Sequence, residues 1–290
     1  MSVKQPERQQ LLSPVEQAAP AASAGAPAAV PWDLGESVAA LGLSLFVAVA
    51  GGTLSLVLTQ STRVAQPLRP IQRLFDWANG VPVPSVPPPN QLQSDVLAYQ
   101  FLALGVGLSA FWLIRVRFHL PPRVLGYRFP GWTSLLASAM AAVVLVYVGI
   151  VLIWLLFDTL LPGFHLQGNA RELLQGTNGR PSLAIQIMVF LWAAIEAPVV
   201  EETLFRGILF QGLRQLFTRW LSPDRSVFLG AVLSGLAFGL VHFQPHTLPI
   251  LVFLGIVLAY LFERTHSIYP SVLVHGIING ISVLALFNAT

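Results

Sequence analysis

The chain has no cysteine, a single lysine and few charges of either sign. The missing thiols exclude disulfides, thiolate-bound metals and a cysteine nucleophile. Charged residues are 10% of the 290 positions, whereas soluble domains carry roughly 25%, so this chain cannot cover an ordinary soluble surface. An HExxH helix, the zincin arrangement of two His on one helical turn, is absent, as is a glycine-rich phosphate loop. Ser234 lies in a glycine-rich apolar segment with no matching Asp–His order, which leaves a serine dyad unsupported.

What is present is apolar. Hydrophobic residues make up 54% of the sequence and the mean hydropathy is +0.68. They come in runs long enough to cross a bilayer as helices, about twenty residues each. Seven spans are expected, at roughly 36–58, 95–115, 134–160, 183–213, 227–243, 247–263 and 269–288. The fold class that follows is an all-α polytopic membrane protein, a bundle of about seven transmembrane helices. The fourth span exceeds what a bilayer needs and is expected to tilt or project.

Residues 1–33 are rich in Ala, Pro, Gln and Ser and read as a disordered tail. They lack the basic start and compact apolar core of a secretory signal. Residues 34–180 read as N-terminal helices and loops, and 181–290 as a helical core. The stretch 80–90 is a proline-rich, extended linker, and 115–129 a basic, turn-rich connection.

The net charge of +3 and pI of about 9.7 do not indicate nucleic acid. Most of the fifteen arginines sit in short loops, where they set topology. With spans alternating, Arg115, Arg117, Arg123, Arg128, Arg214, Arg219, Arg225 and Arg264 share one side. Arg63, Arg69, Arg73, Arg171 and Arg180 share the other. The side richer in arginine is the one holding the N-terminus, which is therefore expected in the cytoplasm, with the C-terminus outside.

Chemistry is expected where charge enters the apolar spans. "VVEETLFRGILF" (199–210) puts Glu201, Glu202 and Arg206 inside the fourth span, each costly in hydrocarbon unless paired or facing water. Glu202 and Arg206 are four apart and stack on one helix face, the acid nearer the N-terminus. Glu201 is rotated ~100° away and is left over for a cavity. Glu196 is a third acid one turn back, without a role. The fifth span ends at His242 with Phe238 a turn earlier on the same face, flanked by Gly235 and Gly239. His275 and Asn279 share a face of the seventh span. Singly, these groups fit packing roles: an ion pair, an interfacial His, interhelical hydrogen bonds. Together, three helices bringing acid, base and amide groups into the membrane suggest one shared polar cavity, formed by the last four helices. His246, beyond Pro245, reads as a loop residue.

"EETLFRG" (201–207), "FGLVH" (238–242) and "HGIIN" (275–279) carry the ordered signatures EExxxR, FxxxH and HxxxN/D. This set resembles the CAAX-processing and bacteriocin-processing protease family, known as CPBP or Abi. The similarity covers about 185–285. It implies an intramembrane endopeptidase in which Glu201 and His242 activate a water, His275 and Asn279 donate to the tetrahedral oxyanion, and Glu202 and Arg206 hold the geometry, or Glu202 assists in substrate positioning. It leaves the cofactor open between none and Zn2+, for which Glu201, His242 and His275 would be the ligands, with water as the fourth. It implies a protein or peptide substrate, membrane-associated or prenylated, a bacterial cell membrane and no nucleic-acid partner. Two competing readings are a non-catalytic scaffold or immunity-type partner and, with no internal inverted repeat behind it, an ion-coupled transporter. Straight helices with these boundaries would scatter the motif residues over ~10–15 Å at 1.5 Å per residue, so a shared site requires tilted or shifted spans.

Overall fold

The computed structural model describes residues 30–59, 91–160, 183–242, 244 and 247–288. The tail up to residue 29, the 80–90 linker, Arg63, Arg69, Arg73, Arg171, Arg180 and His246 lie outside these residues. The described residues are helical, with no strand among them.

Seven long helices follow in order. α1 is Leu34–Thr59, α2 is Gln91–Phe111 and α3 is Trp132–Leu160. α2 runs on into a π-helical turn, Trp112–Arg117, and a short 3-10 turn, Pro122–Leu125, precedes α3. α4 is a composite run over 183–217, and α5, α6 and α7 are Pro223–Val241, Leu248–Thr265 and Ile268–Asn288. All but α4 are long and apolar enough to span a membrane. The protein is an integral membrane protein of polytopic helical fold. Only 11% of the apolar window of α3 is buried, against 44% for α7. α3 is therefore an outer helix presenting Leu136, Met140 and Val144 to lipid, and α7 is the more enclosed of the two.

The helix ends follow from local chemistry. α5 starts after Ser222, with Pro223 in its first turn and Asp224 complementing the helix dipole. α6 stops where His266 takes a left-handed conformation (φ 49°) and its N–H returns to the Phe262 carbonyl. That turn is pinned by Ile268, whose N–H donates 2.9 Å to the Gly126 carbonyl in the α2–α3 loop. α5 and α6 approach backbone to backbone: a Cβ on Gly255 would lie 2.7 Å from Cα of Gly235. Small residues permit such contact in membranes, where tight packing replaces the hydrophobic drive. Between α1 and α2, the buried hydroxyls of Ser44 and Ser109 bond at 2.9 Å.

Three ion pairs gather one end of the bundle: Arg117 with Glu36, Arg219 with Asp33 and Arg214 with Glu263. The start of α1 and the ends of α2, α4 and α6 thus meet on one side. The exposed pairs contribute little to stability, but Trp32, just before α1, is buried among them and anchors the chain there.

Candidate active site

The site is built on α4, which is not a uniform α-helix. Leu183–Leu191 is α-helical, Trp192–Glu196 is a π turn, Ala197–Glu202 is α-helical, Thr203–Phe210 is an eight-residue π segment and Gln211–Phe217 is α-helical again. π segments are rare and concentrate at functional sites. This one persists because neighbours bond its carbonyls. Ser234 on α5 donates to Phe205, Gln211 to Gly207, and Trp32 and Ser37 both donate to Ile208. The α2–α3 loop closes the same segment. Gln211 also bonds the Val124 carbonyl, and Tyr127 bonds Thr203 at 2.5 Å. Thr203 gives its own proton to Val199, so Tyr127 is the donor. Gly207 is needed beside this loop, since a Cβ there would come 3.1 Å from the Leu125 carbonyl oxygen.

Glu202 and Arg206 are completely buried, with Nη1 and Oε1 2.9 Å apart. The N–H of Nη1 is not aligned for a hydrogen bond, so the contact is chiefly Coulombic. Nη2 of Arg206 donates to the Gly255 carbonyl at 3.2 Å, and its guanidinium lies over the Phe238 ring, 4.7 Å from the centroid. His275 Nδ1 meets the same Glu202 oxygen at 2.9 Å.

Glu201, one residue earlier, faces the other way. Its Oε2 is buried, makes no hydrogen bond, and lies 3.7 Å from Nε2 of His242 and 3.8 Å from Nε2 of His275. Phe238 forms the apolar wall common to the site. Its ring packs on His242 at 4.7 Å, edge-on to His275 at 5.4 Å and edge-on to Phe205 at 5.3 Å. Tautomers follow from the partners. His242 Nδ1 lies 2.7 Å from the Phe238 carbonyl, which only accepts. His275 Nδ1 faces a carboxylate oxygen engaged by Arg206. Each Nδ1 therefore carries a hydrogen, and each ring turns its Nε2 towards Glu201.

Glu201, Glu202, Arg206, His242 and His275 thus come together from α4, α5 and α7. His242 is the C-cap of α5, and His275 lies in the third turn of α7. Asn279 is engaged elsewhere: its Nδ2 donates to the Ala193 carbonyl at 3.0 Å, fastening α7 to the first π turn of α4. One group lacking from the motif set is Tyr99 on α2, whose hydroxyl donates 3.3 Å to Oε1 of Glu201. Its only sequence signal is a lone phenol near the start of an apolar run.

In kind, three nitrogen or oxygen donors with anchored Nδ1 atoms suit zinc. Among the described residues, however, no group of three or more His, Asp or Glu is arranged to hold a metal ion, and no step below passes through one.

Fold and site define a polytopic membrane protein with a buried acid–base cluster between its helices. Residues 183–281 match the family model described as type II CAAX prenyl endopeptidase Rce1-like, which makes that stretch an Rce1-like domain. A peptidase is the class of activity this domain supports. No curated protein and no solved structure matches the chain.

Proposed function

We propose that the protein is an intramembrane endopeptidase in which Glu201, helped by the two histidines, activates a water. The observation that carries this reading is the buried, unbonded Oε2 of Glu201 facing Nε2 of His242 and Nε2 of His275 at 3.7 and 3.8 Å. A water has two protons to give, and with one proton already shared among these three groups two acceptors remain to hold it, leaving an oxygen lone pair for attack. Two carboxylates and one guanidinium sum to −1, and a single proton shared among Glu201, His242 and His275 brings the cluster to neutrality, which a low-dielectric site favours.

In the reaction, the water oxygen bonds to the scissile carbonyl carbon as its proton passes to the Glu201–histidine group. The carbonyl π electrons move to oxygen, giving a tetrahedral oxyanion. A protonated imidazole donates to that oxyanion, and such a donor is typically worth ~10²–10³ in rate. Collapse breaks the C–N bond, and the held proton goes to the leaving amine. Glu202 and Arg206 keep His275 in register through Nδ1. Asn279 serves by holding α7 against α4, and it reaches the oxyanion only if it exchanges the Ala193 carbonyl for substrate.

The hydrolytic core is assigned to 181–290. The arginine-rich end is assigned to the cytoplasmic side, with the N-terminus, in a bacterial cell membrane. Substrates of this reading are membrane-associated peptides, and prenylated CAAX peptides and bacteriocin-type precursors are the two panels to offer. The test uses protein reconstituted in liposomes, with fragments identified by mass spectrometry. The parent is expected to cut a panel member that His242→Ala leaves intact. Equal cutting by both would overturn the proposal.

A further inference from the structure

Among the described residues, Tyr99 is the one side chain outside the matched domain that bonds the candidate base directly. It sits on α2, 102 residues before Glu201 in sequence, and its hydroxyl donates to Oε1 at 3.3 Å. Its ring packs edge-on against Trp192 in the first π turn of α4, with centroids 5.0 Å apart. The phenol is therefore held on one side by an aromatic wall while its hydroxyl reaches the carboxylate.

The consequence lies in how Glu201 is oriented. A carboxylate has two equivalent oxygens and a soft terminal torsion. Here Oε1 is engaged by Tyr99, whereas Oε2 is buried, bonds nothing and faces His242 and His275. The hydrogen bond breaks the equivalence. It selects the oxygen that faces the histidines and stops the group from turning both oxygens towards α2. Among the described residues of 183–281, none is seen to bond Oε1.

We infer that Tyr99 is a positioning residue for Glu201, so that α2 completes a site whose other groups all belong to the Rce1-like domain. The inference rests on the hydrolytic reading above. A hydrogen bond of 3.3 Å is longer than the 2.5–3.0 Å usual between oxygens, so its loss acts at the lower end of what bonds to charged groups contribute. About a tenfold fall in kcat is expected for Tyr99→Phe. KM should stay within about twofold, because Tyr99 acts on the base and not on uniform substrate binding.

The experiment measures kcat and KM of reconstituted full-length parent, Tyr99→Phe, Glu201→Gln and the double variant, with the denaturation midpoint of each. Tyr99→Phe keeps the ring against Trp192, so an unchanged midpoint with a tenfold lower kcat supports positioning. In the Glu201→Gln background, the second substitution should remove nothing further. Parental kcat in Tyr99→Phe overturns the inference but leaves the hydrolytic reading standing, provided Glu201→Gln is inactive. A fall in kcat matched by a fall in midpoint would assign Tyr99 to packing and also overturn it. Turnover by Glu201→Gln would overturn the hydrolytic reading itself.

Discussion

Replacing Arg206 by methionine would strand a carboxylate in the middle of the bundle. Neither side chain of the Glu202–Arg206 pair is exposed to any degree, and the pair is 2.9 Å apart. Without Arg206, Oε1 of Glu202 keeps His275 as a partner, but Oε2, already without a hydrogen bond, has no nearby cation. Removing one member of a buried pair costs about 3–5 kcal/mol, because the other charge stays buried uncompensated. The donation to Gly255 and the stacking over Phe238 go as well. The double variant Glu202→Gln/Arg206→Met behaves differently. It removes both charges, and a glutamine oxygen can still accept from His275. Replacing both members of such a pair by neutral groups is often close to neutral, so the double variant should recover most of the loss and end within about 2 kcal/mol of the parent. The assay is unfolding in mixed micelles titrated with a denaturing detergent, followed by fluorescence of the seven tryptophans. A single variant that loses under about 1 kcal/mol, or a double variant no more stable than the single, would refute the reasoning that Arg206 neutralises a buried Glu202.

Gly276→Ala should lower the denaturation midpoint and cut cleavage at least about tenfold. Alanine normally favours a helix interior by ~1 kcal/mol over glycine, but here the new Cβ meets the Ala194 carbonyl oxygen, a backbone atom that cannot rotate away. The neighbour displaced is His275, so a variant as stable and active as the parent would contradict the packing described for α7. Because the chain has no cysteine, single-cysteine labelling reads topology directly. Thr218→Cys, at the exposed arginine-rich end, should react with an impermeant maleimide only after the cytoplasmic face is opened, and Asn288→Cys should react in intact cells. Exhaustive dialysis against EDTA should leave cleavage unchanged, since Glu201 and the histidines suffice in this account. Activity lost on chelation and restored by zinc would oppose it.

Much of this site was legible in spacing alone, because the relevant chemistry is expensive in hydrocarbon. Four-residue separation pairs Glu202 with Arg206 and sets Glu201 apart from them, and the 2.9 Å ion pair between Nη1 and Oε1 follows that spacing. Phe238 and His242, one turn apart, do share a face and do touch. Three features were not legible. Nothing local marks Thr203–Phe210 as a π segment, because its carbonyls are satisfied by Ser234, Trp32 and Ser37, all remote in sequence. Tyr99 has no periodic or charged context, and its partner lies two helices away. The convergence of Glu201, His242 and His275, against the ~10–15 Å scatter of straight spans, is set by how α4, α5 and α7 pack on one another, which is a tertiary fact. Asn279 illustrates the limit of a motif: the spacing puts it on the face of His275, but only the fold shows its amide spent on Ala193.

The measurement that bears most directly on the central claim is peptide cleavage by Glu201→Gln, purified and shown to be folded by its denaturation midpoint. Glutamine keeps the size of the side chain and the acceptor for Tyr99 but cannot take a proton from water. The account predicts no turnover above background with the midpoint unchanged. Cleavage at a rate within about tenfold of the parent would contradict it.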